Sequence, residues 1–379
     1  MATNETPTAA PTSATTVPET TTAAPTSTTL PAEVSSVVPD ASTAEKSAVD
    51  TTATPLDSAA APASEPAKAV ETTDKTDGAE KADESAAKEA APTEEKGATP
   101  IEELWSLAQS KGHPEIWGVT LADPANHIPT QVILQKYLNA NDGDLVKAKD
   151  QLVKTLEWRA KMKPLDLMSK KFNRAKFAGL GYVTTFGAPD AADPELKEVF
   201  TWNIYGTVQN VDETFGNLAE FIEWRVVLME EALHALAIDK AVKPITAEWD
   251  PYKIFQVHDY KSISFLRQQS VVKAASTETI KIFAQNYPEL LKEKFFVNVP
   301  AIMGFIYAFI KLFVAAKTAK KFHPMSNAAG LAAELSNSKL KGLGAFLPKE
   351  YGGTGSDLNS AGKQPALEAE PEATDVNSK

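Results

Sequence analysis

Cysteine is absent from all 379 residues. That excludes disulfide frameworks, thiolate metal sites and cysteine nucleophiles together, and it suits a reducing compartment. The first hundred positions also lack aromatic residues, and apolar side chains larger than valine are scarce there. They are built from Thr, Ala, Pro, Ser, Glu, Asp and Lys, with too little apolar surface to offset the entropy of ordering a backbone. Residues 1–100 are therefore expected to form a disordered tail, and the polar stretch 355–379 a second one. Histidines are few, and His113, His127, His234 and His323 are scattered without metal-ligand spacing. No long hydrophobic run occurs either. The longest apolar stretch, Val299–Phe313, contains Pro300 and Lys311, and a helical span needs about 20 apolar residues. The N-terminus has no charged-then-apolar layout of a secretory signal. The expectation is a soluble protein of the cytoplasm.

The chain's net charge of −12 is unevenly placed. Residues 1–98 carry −11 and residues 355–379 carry −3, which leaves the segment between them at +2. A near-neutral, slightly basic body is compatible with an anionic membrane surface. Nucleic acid is not an expected partner: there is no zinc pattern, arginine stripe or aromatic sheet motif.

What remains, about residues 101–354, is long enough for one large core or two joined lobes. From Ile101 to about Lys163 the pattern is helical throughout. Val132, Ile133, Tyr137 and Leu138 share one face, and Leu145, Ala148, Leu152, Leu156 and Arg159 recur at helical spacing before Pro164. Residues 101–165 are read as a helical lobe. The period then changes. Tyr182–Phe186, Val199–Tyr205, Lys253–Tyr260 and Phe295–Val299 are rich in β-branched and aromatic residues and read as strands. Helices over about Asp212–Ile238 and Thr277–Asn286 lie between them, and Pro300–Thr318 opens another with proline in its first turn. Alternating strands and helices predict an α/β sheet with crossover helices over 175–354.

Catalytic signatures are missing. There is no nucleophile elbow, Walker loop, dinucleotide fingerprint or His-Glu-x-x-His, and Gly352-Gly-Thr-Gly355 opens no predicted helix. The chain is not expected to be an enzyme.

Asn286-Tyr287-Pro288-Glu289, Phe296-Val-Asn298-Val-Pro300, Lys311-Leu-Phe313, Lys317-Thr318 and Leu347-Pro348-Lys-Glu350-Tyr351-Gly352-Gly353 resemble the CRAL-TRIO lipid-binding domain of yeast-type phosphatidylinositol transfer proteins. Leu134–Lys163, with Leu156-Glu-Trp-Arg159, resembles the helical lobe that precedes it in that family. The wording of Trp202-Asn-Ile-Tyr-Gly206 and Val257-His-Asp-Tyr260 is similar to the fungal non-classical, haem-binding branch, the fifth yeast homologue type. The resemblance implies an N-terminal helical lobe plus a mixed sheet around a hydrophobic cavity, closed by an amphipathic gate helix. Pro300–Ala316 suits that gate: Ile302, Phe305, Ile306, Phe309 and Phe313 are apolar, and Lys311, Lys317, Lys320 and Lys321 cluster toward its end. Taken alone, the same stretch also reads as a core helix with a basic C-terminus that suits its dipole.

Two ligands follow from the resemblance. For phosphatidylinositol it points to Glu278 at the inositol and to Thr318 and Lys321 near the phosphate. The chain departs from the family where an Arg-Lys pair is expected, because it carries Asn141-Asp142. For haem b the resemblance points to Tyr260 as a tyrosinate axial ligand of ferric iron, with His258 its neighbour and Tyr205, Arg225 and Lys294 completing the site. Side chains two apart on a strand share a face, so His258 and Tyr260 are expected to point together and Asp259 away. Arg225 is a candidate partner for a propionate, but also for Glu220 or Glu223. The implied role is lipid transport in phosphoinositide homeostasis or in oxidant and haem stress, with transient contact at the endoplasmic reticulum or microsomal membrane. A protein-binding scaffold with a vestigial cavity and a haem-dependent redox enzyme are the alternatives.

Overall fold

The computed structural model describes residues 97–113, 115–191, 193–262, 270–300 and 316–370. Residues 1–96 of the expected N-terminal tail (1–100) and most of the expected gate helix (301–315) lie outside the described residues, and the last two positions of that tail, Thr99 and Pro100, already belong to the start of a helix. The described residues fall within one compact unit.

Three helices come first: α1 (Pro100–Ser110), α2 (Ile128–Ala140) and α3 (Leu145–Met162). A capping box between Thr99 and Glu102 starts α1, and Asp144 accepts from Lys147 N at the start of α3. Helix is not continuous here. A two-stranded hairpin, β1 (Glu115–Ile116) and β2 (Val119–Thr120), lies between α1 and α2. Its turn residues Trp117 and Gly118 have φ of 55° and 80°, the left-handed pair that a tight hairpin requires. The Trp117 ring stacks on Tyr137 and its indole N–H donates to the Asn286 carbonyl at 3.1 Å. Burial of one aromatic side chain thus overrides the helical period.

The main sheet has the order β3-β4-β5-β6-β7, with β3 (Gly181–Gly187), β4 (Lys197–Ile204), β5 (Ile254–Asp259), β6 (Leu291–Val297) and β7 (Phe322–Pro324). β3 and β4 are antiparallel, while β4 to β7 run parallel. Parallel neighbours need crossovers. α4 (Leu218–Leu236) connects β4 to β5, and α5 (Ser270–Asn286) connects β5 to β6. The long helix expected over Asp212–Ile238 breaks at Gly216-Asn217, because Asn217 caps α4 by accepting from Glu220 N.

Each sheet face has its own core. Val183, Val199 and Ile254 pack with the helices. Tyr182, Phe200, Trp202, Phe255, Val257 and Phe295 pack on the opposite face against Leu331, Leu343, Leu347, Tyr351 and Leu358. The expected tail from Gly355 is a correction: residues up to 370 are part of the fold. Val183 and Lys363 exchange backbone hydrogen bonds, Phe172 N donates to Ala366 O, and Gln364 accepts from Gly179 N at 2.7 Å. Backbone pairing with the exposed edge of β3 holds this polar segment, so its composition did not reveal it.

A buried ionic group ties α3 to the β1 hairpin and to α4. Arg159 reaches Glu115 on β1 at 2.7 Å and Glu230 on α4 at 2.7 Å, and Tyr287 donates to Glu230 at 2.7 Å. Arg159→Met leaves Glu230 charged and buried without its cation. The expected loss is about 3–5 kcal/mol of stability, and adding Glu230→Gln recovers part of it. Urea unfolding of the three proteins checks this.

Candidate functional site

The parallel strands β4, β5 and β6 end on the same side of the sheet, where open α/β sheets receive ligands. Tyr205 follows β4 and Tyr260 follows β5. In register, Thr201 stands beside Gln256, Asn203 beside His258, Gln256 beside Lys294, and His258 beside Phe296. Paired residues share a face, so these side chains make one polar patch on the helix-covered side. Asp259 points the other way, as expected. It accepts from Tyr351 at 2.9 Å and Asn298 at 2.7 Å.

The five residues expected around haem come together. The Tyr205 hydroxyl lies 3.2 Å from His258 Nδ1, and its ring centroid is 5.3 Å from that of Tyr260. The Phe296 ring stands 5.7 Å from His258 and 6.3 Å from Tyr260. Arg225 comes in from α4 and donates to Asn203 Oδ1. It pairs with neither of the glutamates that sequence left open, since Glu220 binds Lys176 and Glu223 binds Lys170. The Arg225 guanidinium instead lies against the Phe283 and Trp224 rings at 5.2 and 5.9 Å. Lys294 lies over Phe296 and Phe322 at 5.4 and 5.7 Å. None of the ion pairs among the described residues includes either cation.

Titration follows this placement. Burial lowers the Lys294 pKa, and Arg225 lowers it further, to about 7. Burial, Lys294 and Arg225 keep the His258 imidazole well below its usual value, so it is neutral near pH 7. Its Nε2 is buried and has no hydrogen-bond partner. The Tyr260 phenol is pushed well above its ordinary value by burial and by Tyr205, with Arg225 opposing. Tyr205, Tyr260 and Lys294 nonetheless keep part of their surface accessible.

The residues expected at a lipid headgroup lie elsewhere. Thr318 is in the short helix Ala316–Ala319, and Lys321 follows it, donating to Leu291 O at 2.8 Å. Glu278 is on α5, 3.7 Å from Lys281 of its own helix. Among the described residues no hydrogen bond or ion pair links Glu278 to Thr318 or Lys321. The carboxylate beside Lys321 is that of Glu289, at 3.8 Å, which also faces Lys317 at 3.5 Å and Lys253 at 3.7 Å. Burial raises its pKa, but Lys321, Lys253, Lys317 and Lys136 outweigh burial and hold it below the usual range. Sequence reasoning passed over Glu289 although it stands inside the Asn286-Tyr287-Pro288-Glu289 motif. Its left-handed backbone, φ 53°, is a signal that only the structure supplies.

Comparison with known proteins places this architecture. Residues 202–353 match the CRAL/TRIO domain and residues 87–154 the CRAL/TRIO N-terminal domain. A Neurospora crassa protein named phosphatidylinositol transfer protein sfh-5 is 60% identical over 272 residues, covering 71% of this chain and 75% of its own. The chain belongs to the CRAL/TRIO family. Two further CRAL/TRIO relatives bear the name phosphatidylinositol transfer protein SFH5. The Chaetomium globosum one is 68% identical over 270 residues (71% of this chain, 62% of that one), and the Pyricularia oryzae one 63% over 273 (71% and 67%). The chain thus spans less than two thirds of the Chaetomium protein. All three are named for transfer rather than for catalysis. A solved structure described as the crystal structure of Sfh5 superposes with a TM-score of 0.56 at 25% identity, over 70% of this chain and 93% of that one.

Lys294 gives the site a measurable signature. An unfolded lysine stays protonated to about pH 10, whereas in the fold this one loses its proton near pH 7. Between those values the unfolded state binds more protons, so ligand-free stability rises with pH. Lys294→Met is expected to remove that slope. It raises the melting temperature by a few degrees below pH 7, with an advantage that shrinks toward pH 10; thermal melts at pH 6 and pH 9 check it.

Proposed function

We propose that this protein is a cytoplasmic carrier that binds phosphatidylinositol and transfers it at membrane surfaces, with peripheral contact at the endoplasmic reticulum, and that its interior holds haem b as an alternative ligand. The relatives' names and the lysines beside Thr318 support the first part. The observation that carries the second is the pair Arg225 and Lys294: two deeply set cations among aromatic rings, with no carboxylate in an ion pair with either. Acyl chains offer nothing to such charges. A flat apolar ligand with two carboxylates satisfies both.

The residues fit haem b on their own chemistry. Arg225 and Lys294 are suited to the propionates, and a guanidinium binds a carboxylate through two parallel hydrogen bonds. Tyr260 would hold the iron through its phenol, whose deprotonated form a bound cation would favour against the burial that raises its pKa. Arg225 favours the phenolate from nearby. Neutral His258 has an unpartnered Nε2 at the same surface, and Tyr205, beside both, restrains the imidazole at Nδ1. When bound, haem supplies a ferric centre. Lipid and haem are expected to compete for overlapping space.

The absorption spectrum of the purified protein tests the haem reading. Tyr260→Phe is expected to lose the charge-transfer features of tyrosinate-bound ferric iron while keeping its melting temperature, since one hydroxyl is removed. A variant with the wild-type iron spectrum rules out Tyr260 as ligand. For the lipid, Thr318→Asp combined with Lys321→Ala is expected to reduce phosphatidylinositol transfer between vesicles by about tenfold, because an anion replaces a donor and a cation is removed. Unchanged transfer removes these two residues from the headgroup site.

A further inference from the structure

The lysines near Thr318 are not all free to meet an anion. At the end of α2 the chain turns through Asn141, Asp142 and Gly143, with φ of 53° at Asp142 and 82° at Gly143. The Asn141 amide turns inward, to Tyr137 O at 2.9 Å and Gln151 Oε1 at 2.7 Å. Asp142 turns outward and accepts from Lys317 Nζ at 3.1 Å. The same ammonium donates to Asn139 O at 3.0 Å and Ala140 O at 3.1 Å, at the end of α2 where the helix dipole favours a cation. Glu289 Oε1 stands 3.5 Å from it. Four oxygens therefore surround an ammonium that has three protons to give.

The local charge follows. Lys253, Lys317 and Lys321 surround Glu289, and Asp142 closes the group. Behind it Lys136 and Asp250 neutralise each other at 2.6 Å. Three cations against two carboxylates leave a single positive charge, which matches one phosphodiester. A phosphomonoester carries about −1.5 to −2 at pH 7, more than the single positive charge of this group balances, and the exposed carboxylate of Asp142 adds repulsion.

We propose that Asp142 is a specificity-determining residue: by holding Lys317 at the end of α2 and adding its own negative charge, it admits phosphatidylinositol and disfavours inositol lipids that carry further phosphomonoesters. This assignment rests on the carrier reading above. Asp142 is largely exposed, and asparagine tolerates its left-handed backbone, so Asp142→Asn alters charge without disturbing the turn. Asp142→Lys reverses the charge. At about 7 Å, in water and through salt, a change of two charges acting on a monoester is worth about tenfold in affinity.

The test uses the full chain and phosphatidylcholine vesicles doped with either phosphatidylinositol or phosphatidylinositol 4-phosphate, with lipid uptake measured for wild type and both variants. The expected result is preference for phosphatidylinositol in the wild type. The 4-phosphate then gains about threefold in Asp142→Asn and about tenfold in Asp142→Lys, with smaller changes for phosphatidylinositol and a gain that fades at high salt. If the wild type carries phosphatidylinositol and the ratio of the two lipids stays within twofold across all three proteins, the role of Asp142 is overturned and the carrier reading stands. If the wild type takes up neither lipid, the carrier reading fails, and this assignment with it.

Discussion

Parallel pairing of β4, β5 and β6 is the constraint on which the rest of the molecule depends. Parallel neighbours cannot be joined by tight turns, so each pair requires a helix on the way back. Those helices, α4 and α5, cover one face of the sheet and bring Arg225 and Phe283 over it. The same pairing lines up the strand ends, and the alternation of side chains then sorts chemistry by face. His258 goes to the helix side, while Asp259 goes to the side closed by Tyr351. One backbone arrangement thus separates a polar floor from an apolar core only a residue away.

That floor is electrostatically unbalanced. Most buried charges in this fold are matched: Arg159 by Glu115 and Glu230, Lys136 by Asp250 and two carbonyls, Glu198 by Lys292. Arg225 and Lys294 are not, and each lowers the proton affinity of its neighbours. Isolated cations in low dielectric are costly. A fold that pairs most of its buried charges and leaves these two facing aromatic rings places unfavourable electrostatics where a ligand can relieve it.

Much of this was legible in sequence because the residues carry a periodic signal. The β-branched and aromatic runs around Val199 and Val257 marked the strands, and Arg159 fell on the buried stripe of its helix. His258 and Tyr260, two apart, shared a face as the pleat requires. The failures have physical causes. Trp117-Gly118 forms a turn stabilised by a tertiary aromatic contact, and no local period reports that. The segment after Gly355 is polar because backbone hydrogen bonds hold it in place. Glu289 was passed over because sequence cannot say which carboxylate three lysines will gather around. Helical or strand spacing encodes which face a side chain occupies; it does not encode which charges from distant segments meet.

The segment from 355 to 370 also covers one margin of the main sheet. β3 lies at one margin of the sheet, and its outer backbone groups form a template for any extended peptide. Lys363 closes that template at Val183, Gln364 takes the amide of Gly179, and Asn359 holds the Tyr182 hydroxyl. Cover of the β3 edge therefore resides in sixteen residues whose composition looks dispensable. A chain trimmed at Gly355 retains every group of both candidate sites, yet presents a bare strand to its neighbours in solution.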